Sequence, residues 1–402
     1  MKNWVSYRNG NYNVHINLED GTKVRENDLD FFEADTVESF DCKITARCSQ
    51  NCHFCFEGST PDGAHGDLTF EGTFLEKLHP YTEVAVGGGN PLEHPDLEKF
   101  LINCKEHKLI PSMTVNQVHF EKNKEFLKRL ISEKLLYGLG VSLVNPSESF
   151  IASLKEFPTA VVHTIVGVTK MADYVALSHH DLKVLLLGYK YVRKGKDYFA
   201  ENGTEIEEKT STLKHKLPQI LNEGWFKVLS FDNLALSQLD VKSVLTETQW
   251  NEFYMGDDGM DGEFDSATMF IDLVERKFAK NSCAPMDKRY DLLPTIEEMW
   301  KFLKDNLKMC EKAISFLEKY IDDLFEEKGK FQLSYDLWEE HEGTSFYSVA
   351  TIFAAFSAMV KIYEEVKPTL EMNKNKSENI KKQVQNLEKT VQNPNRKQLK
   401  MH

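Results

Sequence analysis

The stretch Cys48-Ser49-Gln50-Asn51-Cys52-His53-Phe54-Cys55 constrains this chain more tightly than any other. Three cysteines at spacing C-x3-C-x2-C place three thiols on one short loop. Three thiolates this close can hold three corners of an iron–sulfur cube, and they leave the fourth iron open to a small molecule. With 7 cysteines in 402 residues, chance produces this spacing about 0.002 times per chain. The competing reading is a zinc site, with Cys42, His53 or His94 as fourth ligand. Structural zinc generally takes two separated ligand pairs, and Cys104, Cys283 and Cys310 stand alone. Cys42 shares a strand face with Phe40 and Ile44, a pattern of core packing against helices.

The organisation around the cysteines is a repeat of strand, loop and helix. Strands are expected at Phe40 to Thr45, Thr82 to Val86, Ile110 to Val115, Tyr137 to Val144, Ala160 to Val168 and Leu182 to Tyr189. Helices are expected at Leu97 to His107 and Glu121 to Lys134. Such alternation implies a parallel sheet with right-handed crossovers, and sites then fall on the loops at the strands' C-terminal ends. The expected fold class is α/β, a partial (β/α)6 TIM-type barrel over residues 39–245. Before it, residues 1–38 read as an antiparallel meander with two-residue turns at Asn9-Gly10 and Asp20-Gly21. Further strands are expected over Phe226 to Val241 and Glu252 to Lys280, so that residues 246–294 form a β-rich extension that closes or covers the barrel. Residues 295–402 read as a helical appendage. Trp300, Leu303, Leu307, Cys310, Ile314, Leu317, Ile321 and Leu324 keep heptad spacing, and so do Phe346 to Tyr363 and Ile380 to Val391. This bundle is a stabilising appendage or a docking and oligomerisation element, and its last segment is a polar tail.

A second motif, Val86-Gly87-Gly88-Gly89-Asn90-Pro91-Leu92, follows the second strand and so shares the rim with the cysteines. Glycines let backbone approach a ligand closely. Hydrophobic residues make up 41% of the chain and charged residues 28%, enough for a packed core. The net charge of −14 does not advertise a nucleic-acid groove. The start of the chain lacks a secretory h-region, and Ser345 to Val360 is too short to span a bilayer. Clustered thiols fit a reducing cytoplasm better than a disulfide scaffold, so a cytoplasmic protein with no membrane partner is expected.

The cysteine spacing, with Phe54 just before the last cysteine, resembles the signature of the radical S-adenosylmethionine (SAM) family, and the meander with this glycine motif is similar to bacterial and phage-encoded members. The resemblance spans roughly residues 39 to 245. It implies a [4Fe–4S] cluster on Cys48, Cys52 and Cys55 whose open iron is chelated by SAM. It implies reductive cleavage of SAM to a 5′-deoxyadenosyl radical that abstracts hydrogen from a substrate, under anaerobic conditions and with an electron donor such as flavodoxin or ferredoxin. Phe54 maps onto the aromatic beside the adenine, and Gly87, Gly88, Gly89 and Asn90 onto the motif that receives the SAM amino group. The family's usual form there is Gly-Gly-Glu-Pro. Asn90 stands in the glutamate position and lacks its charge, so backbone atoms or Glu93 share that work. Asn116, Ser142 and Lys190 map onto softer SAM-facing or substrate-facing positions, and Thr164-Ile165-Val166-Gly167 onto the element beside the adenine. His163 reads as a core histidine or an interior group, Cys283 as packing or a hydrogen-atom donor, and residues 59–67 as a lid over the cluster. The substrate class stays open among small molecule, nucleotide and peptide. The alternatives to an enzyme are a non-catalytic iron–sulfur sensor that binds a partner through its helical end, and a zinc-stabilised binding module.

Overall fold

The structure, a computed structural model, describes residues 3–29, 31–253 and 267–305, and the backbone of two short strands at Ser334–Asp336 and His341–Gly343. The chain divides into two units, Met1–Met255 with Asp265–Lys301, and Gly256–Phe264 with Phe302–His402. In the second unit the two short strands pair as an antiparallel hairpin. The heptad segments beyond 305 and the polar loop at 256–259 lie outside the described residues.

The first unit opens with the expected meander, β1 (Trp4–Asn9), β2 (Tyr12–Asn17) and β3 (Lys23–Glu26), all antiparallel. The first turn is Gly10-Asn11 rather than Asn9-Gly10, because Asn9 still pairs with Tyr12 across the hairpin. Gly10 is needed there: its φ is +58°, and a Cβ would sit 1.8 Å from the Glu33 carbonyl oxygen. The second turn is longer than two residues, since pairing resumes only at Lys23 opposite Ile16. Tyr12, Val14 and Ile16 fill the face that packs on Ile110 of the main sheet and on Tyr81 and Tyr137, just before two of its strands. The anchor is Glu38, buried at 1% exposure. Its carboxylate accepts from Tyr12 Oη at 2.6 Å, Arg25 Nε at 2.8 Å and Lys23 Nζ at 3.1 Å. Burial alone raises such a carboxyl, but Arg25 and Lys23 outweigh it and hold Glu38 below the usual range.

The main sheet has ten strands. β4 (Ser39–Thr45), β5 (Glu83–Gly88), β6 (Ile110–Asn116), β7 (Gly138–Ser142), β8 (Ala160–Ile165), β9 (Lys183–Leu187) and β10 (Val228–Phe231) lie side by side in sequence order, all parallel. On the other side of β4, β11 (Thr268–Asp272) joins in parallel, followed by the antiparallel β12 (Lys277–Ala279) and β13 (Tyr290–Asp291). Residues 267–291 therefore extend the same sheet. The helices α1 (Leu97–Glu106), α2 (Gln117–Lys122), α3 (Lys124–Ser132), α4 (Glu148–Leu154), α5 (Met171–Leu177), α6 (Lys194–Asn222), α7 (Asn233–Leu239) and α8 (Glu247–Phe253) belong to the unit, and a further helix begins at Ile296. Among the described residues no helix is long and apolar enough to cross a membrane.

The two sheet faces differ in chemistry. Phe40, Cys42, Ile44, Val84, Val86, Met113, Val141, Val162 and Val184 are at most 1% exposed, on the face packed against helix residues such as Phe100, Phe120 and Leu127. Each such apolar side chain contributes about 1.5–3 kcal/mol by burial. The opposite face carries Asp41, Lys43, Ala85, Gly87, Ser112, Thr114, Gly140, Ser142 and His163, mostly small or polar.

Three expected elements need correction. The single helix at 121–134 is two, broken at Asn123, whose amide donates to the His119 and Phe120 carbonyls at the end of α2 and which immediately precedes α3. Phe226 to Val241 is one short strand followed by a helix, because Asp232 caps α7 with its carboxylate on the Ala235 amide at 2.7 Å. Glu252 to Lys280 begins in helix α8 and holds only β11 and β12 as strands, with 254–266 outside the described residues.

Candidate functional site

The cysteine loop leaves the C-terminal end of β4 and is fastened on two sides. On one side the returning segment runs back along it. Ala46 N donates to the Ala64 carbonyl at 2.8 Å, Cys48 N to Thr60 at 2.8 Å, and Gly66 N to Ile44 at 2.8 Å. Residues 59–67 are thus hydrogen-bonded to the backbone of 44–48 and are not a free lid. On the other side lies the glycine turn after β5. Gly89 N donates to the Thr45 carbonyl and Asn90 N to the Arg47 carbonyl, both at 2.7 Å. A Cβ at Gly88 would lie 2.4 Å from the Thr45 oxygen, and one at Gly89 2.1 Å from the Arg47 oxygen. The glycines at 88 and 89 are required because backbone packs on backbone there. Gly87 has nothing within 4 Å of its missing Cβ and opens onto the polar sheet face.

Cys48, Cys52 and Cys55 are free and only part-buried. Burial raises the thiols of Cys48 and Cys52, and the neighbouring thiols of the cluster raise them further. Such mutual repulsion is relieved by a cation held between them, so the donor set fits a positively charged iron–sulfur core. It fits zinc less well. Cys42 lies on the helix-facing side at 0% exposure, its thiol pushed well up by burial. His94 spends both ring nitrogens, one on the Gly66 carbonyl at 2.9 Å and one on the Asp96 amide at 3.1 Å. His53 is exposed. Among the described residues no three His, Cys, Asp or Glu side chains converge closely enough to hold a single metal ion.

Asn90 is 3% exposed and already engaged. Its Oδ1 accepts from the Leu92 amide at 3.3 Å, and its Nδ2 donates to Glu93 Oε1 at 3.0 Å. Glu93 is the more accessible acid. Its carboxylate also accepts the Ser49 amide at 3.2 Å, and His119 stands 3.7 Å away. Burial works against the charge, but the bonds from Asn90 and Ser49 outweigh it and keep Glu93 below the usual carboxylate range.

Asn116, Ser142 and His163 occupy one row across β6, β7 and β8, each the register partner of the next. Asn116 caps α2 through its Oδ1 at 2.9 Å from the Val118 amide. His163 faces this polar side and is not a residue of the helix-facing core. It lies on Gly140, where a Cβ would come within 2.3 Å of its ring. Burial lowers its pKa to about 4, so the ring is neutral. Thr164 points the other way, bonded to Tyr174. Phe54 packs edge-on against Tyr198 at 5.9 Å. Lys190 stands with its Nζ 3.8 Å from the centroid of the Phe56 ring and 3.4 Å from Ser282 Oγ. Burial raises the Cys283 thiol, and Lys190 opposes that rise.

The sequence reading passed over several groups. Lys43 sits between Glu57 at 3.2 Å and Asp272 at 3.3 Å, and Arg289 reaches Asp272 at 3.2 Å. This buried network joins β4, the cysteine loop and β11. Asp41 is open to solvent yet ringed closely enough that burial raises its pKa. The signal for both was present: Asp41 and Lys43 alternate with apolar residues on a central strand, where a charge needs a partner or a cavity.

No family model matches the sequence, and no curated protein sequence matches it. Among solved structures, the chain is similar to Streptococcus suis SuiB bound to S-adenosylmethionine, at 11% identity and a TM-score of 0.45, over 69% of this chain and 81% of that one. It is also similar to Streptococcus suis SuiB bound to precursor peptide SuiA, at 10% identity and a TM-score of 0.45, over 70% of this chain and 83% of that one. A likeness at these TM-scores carries no argument.

Proposed function

We propose that this chain is a radical SAM enzyme with one [4Fe–4S] cluster on Cys48, Cys52 and Cys55. The observation that carries the reading is the loop itself. Three free, part-buried thiols share one loop at the C-terminal edge of a parallel sheet, and of the three candidate fourth protein ligands Cys42 is turned away and His94 fully bonded, which leaves only the exposed His53. A three-thiol set leaves one iron for a substrate. When bound, the cluster would supply the electron that splits SAM into methionine and a 5′-deoxyadenosyl radical, which takes a hydrogen atom from the substrate.

The chain's own groups then have assignable work. Glu93, held ionised beside the cysteine loop, receives the SAM ammonium, and Asn90 orients it. Gly87 leaves room above the polar sheet face. Phe54 borders the adenine. Asn116, Ser142 and neutral His163 offer hydrogen bonds in one row without adding charge. Lys190 is placed for a carboxylate of SAM or substrate. The contact of the β9–α6 turn with the loop after β4, through Lys194 and Asn51 at 2.7 Å, supports a curled sheet, that is, a partial barrel. A one-electron donor such as flavodoxin or ferredoxin would have to reduce the cluster.

One observation favours a second reading. Gly88 and Gly89 are explained by backbone packing alone, so an iron–sulfur protein without a SAM pocket would need them too. A single experiment separates the two. The protein is reconstituted anaerobically with iron and sulfide, reduced, and given SAM, and 5′-deoxyadenosine is measured by chromatography. Its formation, lost in Cys52→Ala, is the expected result. A complete cluster that yields none, alone or with candidate substrates, would support the sensor.

A further inference from the structure

The turn between β9 and α6 meets the cysteine loop with three cations, of which Lys190 is near enough to Asp41 to oppose the rise that burial gives its carboxyl. Lys190 lies on the Phe56 ring at 3.8 Å. Arg193 Nη1 donates to the Phe56 carbonyl at 2.7 Å. Lys194 Nζ donates to Asn51 Oδ1 at 2.7 Å and to the Ser59 carbonyl at 2.6 Å. It thereby ties the residue before Cys52 to the segment after Cys55. Among the described residues none of these three cations has a carboxylate within ion-pair distance. Other lysines of this acidic chain do, such as Lys128 with Glu125 and Glu156, Lys209 with Glu205, and Lys214 with Asp240.

Two further features keep the turn in place. Arg193 holds φ 49° and ψ −131°, a conformation that costs a non-glycine residue energy and persists only where its surroundings over-determine it. Here they are the Phe56 carbonyl and Gly58, where a Cβ would come within 3.3 Å of Arg193 Cδ. α6 begins at Lys194 and kinks at Asn202, so the positive pole of its short first segment abuts the same loop. A Cβ at Gly195 would lie 3.6 Å from the Phe54 carbonyl oxygen.

We infer that this turn is an electrostatic clasp: Lys194 ties the middle of the cysteine loop to the segment that follows it, and its charge, with those of Lys190 and Arg193, raises the reduction potential of the cluster proposed for that loop. The inference rests on the cluster assignment and not on cleavage of SAM. Reduction adds one electron from an external one-electron reductant to a cluster and thiolate set that is already anionic. Nearby cations stabilise the more negative form, more strongly where protein excludes water. Lys194 is a positioning residue, since it touches the loop and not the sulfur atoms.

The test uses the full-length protein, reconstituted anaerobically without SAM. It is titrated with dithionite through redox mediators while the signal of the reduced cluster is followed by electron paramagnetic resonance. In Lys194→Gln, the ratio of reduced to oxidised cluster at the wild-type midpoint should fall about tenfold, which is ~59 mV for a one-electron couple. Lys194→Arg should restore it. Lys194→Gln should also lose iron to a chelator faster than the wild type. Lys190→Gln removes a charge that grips no backbone oxygen, so it should lower the potential without hastening iron loss. Lys128→Gln, on the outer surface, sets the baseline. Midpoints unchanged in both Lys194→Gln and Lys190→Gln overturn the inference. If Lys194→Gln takes up no iron, the Lys190→Gln midpoint decides alone, and an unchanged value overturns it. Shifted midpoints in a protein that never forms 5′-deoxyadenosine would sink the enzyme reading and leave the clasp standing.

Discussion

The carboxylate of Glu93 accepts the backbone amide of Ser49 at 3.2 Å, so the turn after β5 is fastened to the cysteine loop after β4 by an acid from one motif and an amide from the other. Asn90 supports the same carboxylate from behind at 3.0 Å. This ordering predicts unequal effects of substitution. Glu93→Gln should weaken SAM binding about tenfold to a hundredfold, the loss of one charge-assisted bond of about 1.5–3 kcal/mol. Asn90→Ala should cost stability of about 1 kcal/mol through the lost cap and affect binding less. Calorimetric titration of SAM into the anaerobic protein with its cluster oxidised, so that SAM is not cleaved, compares the two affinities, and a thermal melt reads the stability. A larger binding loss for Asn90→Ala would return the amino-group role to Asn90.

The three consecutive glycines should tolerate alanine very differently. Gly87→Ala meets nothing within 4 Å, whereas Gly89→Ala places a methyl 2.1 Å from the Arg47 carbonyl oxygen. The first should melt with the wild type and bind the same iron. The second should lose about 1–3 kcal/mol through backbone strain and displace Cys48. Thermal melts with iron and sulfide assays check this. A normal iron content in Gly89→Ala would show that the turn does not hold the loop.

Asp272 is fully buried and serves both Lys43 and Arg289. Removing it leaves two buried cations with only Glu57 to share. Asp272→Ala should therefore destabilise the fold by about 3–5 kcal/mol, as breaking one side of a buried ion pair does. Urea unfolding reads this directly, and a loss under 1 kcal/mol, about the size expected of a surface pair, would mean that the network is solvated.

His163 should imprint a pH dependence on stability. Its pKa drops from 6.5 to about 4 through burial on Gly140. Below pH 6.5 the unfolded chain takes up a proton that the folded ring refuses. The contribution of the neutral ring is thus intact above 6.5, lost progressively as pH falls toward 4, and constant below that. The slope is at most about 1.4 kcal/mol per pH unit. His163→Gln should flatten that part of the profile. A slope unchanged in the variant would place the responsible proton elsewhere.

Much of this was legible in the sequence because local pattern and global fold agree. Phe40, Cys42 and Ile44 alternate as a strand should, and the cysteines and glycines follow strands directly, so both motifs reach one rim. What escaped was set by contacts distant in sequence. Nothing near Lys43 announces Asp272 or Arg289. α6 was hidden by Gly203 and Pro218, two residues that argue against helix; the helix does kink at Asn202, beside Gly203, while Ile206, Leu213 and Leu217 are buried on the segment that continues through Pro218. Asp232 went unread as a helix start because the apolar residues after it, Leu234 and Leu236, alternate as a strand would. Nothing in the sequence marks Lys194, since only the fold brings Asn51 and Ser59 to it.

The pairing of β11 with β4 also fixes an order of events. β4 is among the first strands to leave the ribosome, yet the neighbour on its far edge, Thr268–Asp272, is synthesised only after the rest of the parallel sheet. Through the synthesis of Thr45 to Thr268, β4 carries an unpaired edge and Lys43 waits for one of its two carboxylates. A nascent chain in that state is exposed to edge-to-edge association and to chaperone capture. Truncation before Thr268 should therefore yield aggregates rather than a smaller folded unit, even with the cysteine loop intact.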